Sequence, residues 1–187
     1  WQSVEEVARQ GLCTGCGTCA AACPTGAISM SETPAGLLAP TIDPTECTAC
    51  GACLDCCPGI GLPEDCLAED TDPFKGNTVN AYVGTATNKD IHQQGQSGGI
   101  ATGLLLHLLE KRAIDGALVT QMPDDGSLRP FCTVATDRSG LVESQGSQYC
   151  PNALVGQLPK NESWMSNRFA VVGLPCHFHG LAHLLKD

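Results

Sequence analysis

Between Arg9 and Lys75 the chain has no lysine and no arginine. The same stretch carries Glu32, Asp43, Glu46, Asp55, Glu64, Asp65, Glu69, Asp70 and Asp72. Over all 187 residues, 20 acidic side chains face 10 basic ones, a net charge of −10. Such a surface repels phosphate backbones and anionic headgroups, so no nucleic-acid partner is expected. It suits a basic patch on a redox partner, and equally an ordinary solvated face. Also missing is any apolar run approaching the roughly 18–20 residues that a membrane helix needs, so no membrane span is expected. The start, WQSVEEVARQ, shows no basic region followed by an apolar stretch, hence no visible secretory leader. It also lacks an initiator Met, and a processed or trimmed chain is expected.

Cysteine is abundant, with 13 copies. In a small secreted chain that number would suggest disulfides, but disulfide frameworks rarely place a cysteine at every third residue. Here Cys13, Cys16, Cys19 and Cys23 are followed by Pro24, and Cys47, Cys50, Cys53 and Cys57 by Pro58. Both runs read C-x2-C-x2-C-x3-C-P, and matching cysteines are 34 residues apart, which makes an internal repeat. Thiolates at every third residue wrap three corners of an iron–sulfur cube. In two-cluster ferredoxins the fourth thiolate, before proline, serves the other cluster. The expected sets are Cys13, Cys16, Cys19 and Cys57 for one 4Fe–4S cluster, and Cys47, Cys50, Cys53 and Cys23 for the second. Zinc sites use two separated C-x2-C pairs instead. Cys56 competes with Cys57 as fourth ligand; Pro58 favours Cys57. Cys66 reads as a packing residue. Small residues between the ligands (Gly15, Gly17, Ala49, Gly51, Ala52) let backbone N–H groups approach the sulfides. Reduced thiols and clusters point to a reducing compartment, most simply the cytoplasm.

After a polar stretch with Pro73 and Gly76 the pattern changes. Residues 80–86, 114–122, 129–137 and 167–175 read as strands. Residues 97–113 read as a helix with an apolar face of Ile100, Leu104, Leu105, Leu108 and Leu109, and a last helix opens at residue 177. Strand–helix–strand alternation suggests an α/β domain. In QSGGI, Ser97 can cap the helix, and Gly98 and Gly99 bare its free N–H groups, a geometry that suits a phosphate. GSQY, residues 146–149, is a small, polar, aromatic loop that could contact a ring or phosphate. In VVGLPCHFHGL the strand stops at Pro175, ahead of Cys176 and His177. Type alone makes Cys176 a small buried residue. His177, His179 and His183 could suggest a metal, but no carboxylate sits beside them. His92 and His107 read as loop and core-edge residues.

Two ferredoxin runs, then SGGIATGLLLHLLEKRAIDGALV, GSQY and VVGLPCHFHGL in that order, resemble the family of coenzyme F420 hydrogenase and dehydrogenase beta subunits. That family includes formate dehydrogenase and sulfite reductase modules and 7-hydroxymethyl chlorophyll a reductase. The resemblance runs from about residue 12 to the end of the chain. It implies a cytoplasmic iron–sulfur flavoprotein oxidoreductase. FAD would exchange a hydride with coenzyme F420 or a similar carrier, and the clusters would move single electrons to or from a redox partner subunit (hydrogenase, dehydrogenase or reductase) or a ferredoxin. By motif, Ser97, Gly98 and Gly99 would lie along the FAD phosphates, Gly146, Ser147 and Tyr149 would form a second flavin-side loop, and Pro175 would border the flavin. Cys176 and His177 would be catalytic. Gln148 stands where the family pattern has lysine, which removes a positive charge from that loop. The alternatives are a non-catalytic two-cluster electron carrier and an FAD reductase of another substrate, as in the chlorophyll reductase branch. The expected fold is α+β: a bacterial-type two-cluster ferredoxin domain over 1–67, a linker over 68–79, and an α/β flavin-binding domain over 80–187. That last domain is expected to be incomplete at the C-terminus, making the chain an N-terminal fragment.

Overall fold

A computed structural model describes residues 1–61, 76–158 and 167–185. Most of the expected linker, and Cys66, lie outside these residues.

The N-terminal region begins with α1 (Val4–Arg9), capped by Ser3, whose side chain accepts from the Glu6 N–H. The first cysteine run follows as a loop leading into α2 (Thr18–Ala22). A hairpin of β1 (Ile28–Glu32) and β2 (Leu38–Ile42) comes next, and the second run leads into α3 (Ala52–Asp55). The repeat is written in the backbone. Gly17 and Gly51, 34 residues apart, precede α2 and α3 with φ of 81° and 83°. Gly15 and Ala49, again 34 apart, are also left-handed, at 71° and 53°. Left-handed residues curl the chain so that sulfurs three apart turn inward. Val4, Cys19, Ala20 and Ile28 form the core of this region.

The second region contains α4 (Lys89–Gln94), α5 (Ile100–Glu110), β3 (Gly116–Gln121), β4 (Phe131–Ala135), α6 (Arg138–Glu143), β5 (Phe169–Val171) and α7 (Pro175–Leu184). Its sheet has the order β4-β3-β5, with β3 antiparallel to β4 and parallel to β5. The architecture is therefore mixed α and β. β3 is central, and its GALV stretch is buried on both faces. The core joins Ala117, Val119 and Ala135 of the sheet to Leu105 and Leu106 of α5, Leu141 of α6 and Ile91 of α4.

Several expectations are corrected. Residues 80–86 form no strand; Tyr82 is 88% and Val83 106% exposed, so the β-branched and aromatic pattern there finds no neighbouring strand among the described residues. α5 starts at Ile100 because Ser97, Gly98 and Gly99 are all left-handed (φ 51°, 73° and 71°), and Ser97 does not cap it. Its buried face is Thr102, Leu105 and Leu106, while Ile100 and Leu104 are exposed; a run of three leucines gives periodicity no way to choose. Pro175 does not end a strand. It opens α7, as its fixed φ and missing N–H allow at a first helical position.

The two regions meet at the first cysteine run. The Val155 N–H donates to the Cys16 carbonyl at 3.1 Å. Gly17 lies so close to Gly156 that a Cβ on it would sit 2.6 Å from the Gly156 nitrogen. Gly180 of α7 presses on Thr18 of α2, where an added Cβ would lie 2.9 Å from Thr18 Cβ.

Candidate functional site

Two neighbouring hollows hold most of the residues singled out in the sequence. The smaller is lined by Cys13, Cys16, Cys19 and Cys57, with Val4, Val7 and Met30. Cys56 is not part of its wall. The Cys56 thiol is buried, donates to the Cys53 carbonyl at 3.5 Å, and is pushed up to about 12, first by burial and then by neighbouring Cys57 and Cys53. Burial likewise pushes Cys19 up, helped by Cys16, Cys56, Cys13 and Cys57. Four thiols line one small hollow, and thiolate sulfur is the donor type that soft metals and iron–sulfur clusters select. The Cys13 sulfur accepts the Gly15 N–H at 3.4 Å, and the Cys16 sulfur meets Thr18 Oγ1 at 3.2 Å. These contacts fit a 4Fe–4S cluster, whose sulfurs take hydrogen bonds of this kind. Cys53 is near enough to Cys50 and to Cys23 to feel a charge on either, and Cys47 and Cys50 are exposed. Among the described residues no three His, Cys, Asp or Glu side chains converge tightly enough for a single metal ion, and that includes the histidines of α7.

The larger hollow is a cavity of about 610 Å³. Volumes of that order are usual for small-molecule sites. One wall is the start of α5: Ile100, Ala101 and Thr102 line it, and no side chain caps the helix, so its free N–H groups are available to an anion. Ser97 and Gly99 line it too, whereas Gly98 packs on Thr85. Opposite stand Gly146, Ser147 and Gln148. The two loops are tied by Gln96, whose Oε1 accepts from the Ser147 N–H at 3.1 Å and from the Tyr149 hydroxyl at 3.2 Å. Gln145 ties the start of the second loop to α4, donating to the Ile91 carbonyl at 2.6 Å. Neither glutamine stands out in the sequence, because a loop glutamine has no spacing signal. Tyr149 itself is 86% exposed and outside the cavity wall.

Val172, Gly173, Leu174 and His177 close a third side, but Pro175 and Cys176 do not line it. His177 is 6% exposed. Its Nδ1 accepts the Leu174 N–H at 3.0 Å. With Nδ1 accepting, the neutral ring carries its proton on Nε2, and burial pushes His177 below its ordinary value. Thr120 and Asn152 form the floor, with Asn152 Nδ2 donating to Thr120 Oγ1 at 2.9 Å. The last wall is Thr14 and Gly15, from inside the first cysteine run. No charged side chain lines the cavity among the described residues. No helix among them is long and apolar enough to cross a membrane.

Residues 12–59 match the family model for a 4Fe-4S dicluster domain, and residues 81–159 match that for the N-terminal part of the coenzyme F420 hydrogenase/dehydrogenase beta subunit. The chain is 30% identical over 181 residues to the coenzyme F420-dependent sulfite reductase of Methanocaldococcus jannaschii, covering 97% of this chain and 26% of that protein. It is 28% identical over 193 residues to an F(420)H(2) dehydrogenase subunit of Methanosarcina mazei, covering 98% of this chain and 51% of the relative. A chain in the structure of the F420-reducing [NiFe] hydrogenase complex from Methanosarcina barkeri superposes with a TM-score of 0.54 at 27% identity, over 61% of this chain and 39% of that one. The chain thus spans between a quarter and a half of the length of these curated relatives. With a dicluster domain leading into the beta-subunit region, it belongs to the family of coenzyme F420 hydrogenase/dehydrogenase beta subunits.

Proposed function

We propose that this chain is an iron–sulfur flavoprotein subunit of a cytoplasmic oxidoreductase. It would couple hydride transfer, from reduced coenzyme F420 or a similar carrier through FAD, to single-electron transfer through two 4Fe–4S clusters. The observation that carries this reading is the shared wall: Thr14 and Gly15 border the cavity and lie between Cys13 and Cys16. A ring in the cavity would lie beside the first cluster loop. Bound flavin supplies the exchange between two-electron and one-electron chemistry, and the clusters carry the single electrons. The proposed cluster ligands are Cys13, Cys16, Cys19 and Cys57, then Cys47, Cys50, Cys53 and Cys23. The N–H groups opening α5, beside Ser97 and Gly99, would receive a phosphate. Gly146 and Ser147 would hold the other side of the flavin. His177, its Nδ1 held by the Leu174 N–H, would shape the wall. Relatives named as subunits of hydrogenase and dehydrogenase support a redox partner subunit.

The test is anaerobic purification followed by acid-released flavin and iron per chain. About one FAD with both clusters is the expected result. Intact clusters without flavin would leave a two-cluster electron carrier. The uncharged cavity wall, with Gln148 in it, favours a second reading in which FAD serves a substrate other than the polyanionic deazaflavin. Reduction assays with and without coenzyme F420 separate the two.

A further inference from the structure

We propose that the Thr120 hydroxyl is a specificity-determining donor on the cavity floor: it gives its hydrogen to an acceptor atom, a carbonyl oxygen or ring nitrogen, on the edge of the bound ring. Asn152 and Gln157 are positioning residues that keep the hydroxyl a donor. This rests on the reading that the cavity holds FAD, whose isoalloxazine edge offers such acceptors.

The direction of the hydroxyl follows from a backbone group. β4 is an edge strand of its sheet, and its Cys132 N–H donates to Gln157 Oε1 at 2.8 Å. A backbone N–H can only donate, so that end of the Gln157 amide is oxygen. The other end, Nε2, donates to Asn152 Oδ1 at 3.3 Å, and the Cys132 thiol donates to the same oxygen at 3.3 Å. That fixes the Asn152 amide in turn. Its Nδ2 has two hydrogens; one goes to Thr120 Oγ1 at 2.9 Å and the other to Cys132 Sγ at 3.0 Å. Thr120 Oγ1 therefore accepts from Asn152, and its own hydrogen is left over. Cys132 Sγ lies 3.9 Å from Oγ1, but sulfur is a weak acceptor and this one already takes a hydrogen from Asn152. Thr120 and Asn152 line the cavity, whereas Cys132 and Gln157 stand behind them. The relay thus runs from the sheet edge to the cavity floor. With no charged side chain on the described wall, a neutral donor of fixed polarity is what selects among rings there. An edge that presents oxygen or unprotonated nitrogen gains a hydrogen bond that an apolar edge cannot make.

The experiment uses the anaerobically purified protein with its clusters intact and its flavin removed, titrated with FAD. Thr120→Val should weaken FAD binding about fivefold, the worth of one hydrogen bond. Thr120→Ser, which keeps the hydroxyl, should bind within about twofold of the unsubstituted chain. Gln157→Glu tests the relay from outside the cavity. Its carboxylate still accepts the Cys132 N–H but has no hydrogen for Asn152, so the Asn152 amide turns its NH2 toward the glutamate. Thr120 must then give its hydrogen to Asn152 Oδ1, and FAD should again bind about fivefold more weakly. Added to Thr120→Val, the same glutamate should weaken binding no further, which separates the relay from the effect of a new charge. Unchanged affinity in Thr120→Val, or no recovery in Thr120→Ser, overturns the proposal. So does an equal weakening by Gln157→Glu in both backgrounds. Should Thr120→Val not fold, Thr120→Ala takes its place in the same comparison. An unsubstituted protein that binds no FAD sinks the flavin reading itself, before any variant is compared.

Discussion

The two cysteine runs share a spacing and a backbone, yet they occupy opposite environments. Cys16 and Cys19 of the first run are buried, and its loop carries the contacts with Val155, Gly156 and Gly180. Cys47 and Cys50 of the second run are exposed, and a Cβ on Gly51 would meet nothing within 4 Å. The repeat dictates how thiols are presented. The surroundings differ: the first run borders the cavity through Thr14 and Gly15, and Cys47 and Cys50 of the second face outward. Substitutions at matching positions should therefore differ in effect, and the largest difference should come from the ligands. Cys19→Ser and Cys50→Ser should each remove about half of the iron, since on the proposed ligand sets each site would hold one of two clusters. Only Cys19→Ser should also lower flavin content and Tm steeply, because metal binding at a buried junction is folding energy for both sides. Iron, flavin and thermal unfolding measured together check this; equal losses of flavin would erase the distinction.

The glycines before α2 and α3 sharpen the same contrast. Alanine at either left-handed position costs about 1 kcal/mol of backbone strain. At Gly51 (φ 83°) that should be nearly all. At Gly17 (φ 81°) the new Cβ also meets the backbone of Gly156, which cannot swing aside, and the total should reach about 3 kcal/mol. Denaturant titration of Gly17→Ala and Gly51→Ala gives the two values directly.

Protonation probes a tie at the cavity wall. The Leu174 N–H donates to His177 Nδ1 at the start of α7, and burial holds His177 down in the folded chain. Between its folded value and the unfolded value of about 6.5 the unfolded chain binds more protons, so stability rises with pH there. As pH falls below about 6.5 the wild type should lose stability that His177→Gln does not lose. Melting curves of both proteins across that range test it; parallel pH profiles would mean the imidazole is not the group responsible.

Much of this contrast is legible in the sequence, and some is not. Cluster ligands announce themselves through spacing, because a cube dictates how often a thiolate must recur. The QSGG and GSQ loops are legible as glycine-rich turns, and the fold brings them to one cavity. Gln96, which lashes those loops together, and Gln145, which ties the second of them to α4, are invisible, since their partners are more than 50 residues away in the chain. Cys176 and His177 read as one site because they are adjacent. On a helix, adjacent residues diverge by about 100°, and the helix begins at Pro175, ahead of the residue 177 expected from the sequence. The burial of one run and exposure of the other are equally hidden: nothing in C-x2-C-x2-C says what packs on it.

The smallest effect should come from a left-handed position where the repeat exchanges glycine for alanine. Position 15 is glycine at φ 71°, and its counterpart 34 residues on is Ala49 at φ 53°. Gly15 has no choice: a Cβ there would come 3.1 Å from the Leu38 carbonyl oxygen. Ala49 sits in an exposed loop, so sterics permit its methyl, but the left-handed conformation still strains it. Ala49→Gly relieves that strain and gives back part of the gain through the freer unfolded chain, leaving a net stabilisation of about 0.5 kcal/mol. Gly15→Ala, the mirror substitution, should destabilise by more than that amount, since it adds both strain and contact. If Ala49→Gly instead weakens the fold, the alanine methyl is packing against the second cluster site, and that run is less open than its exposed cysteines indicate.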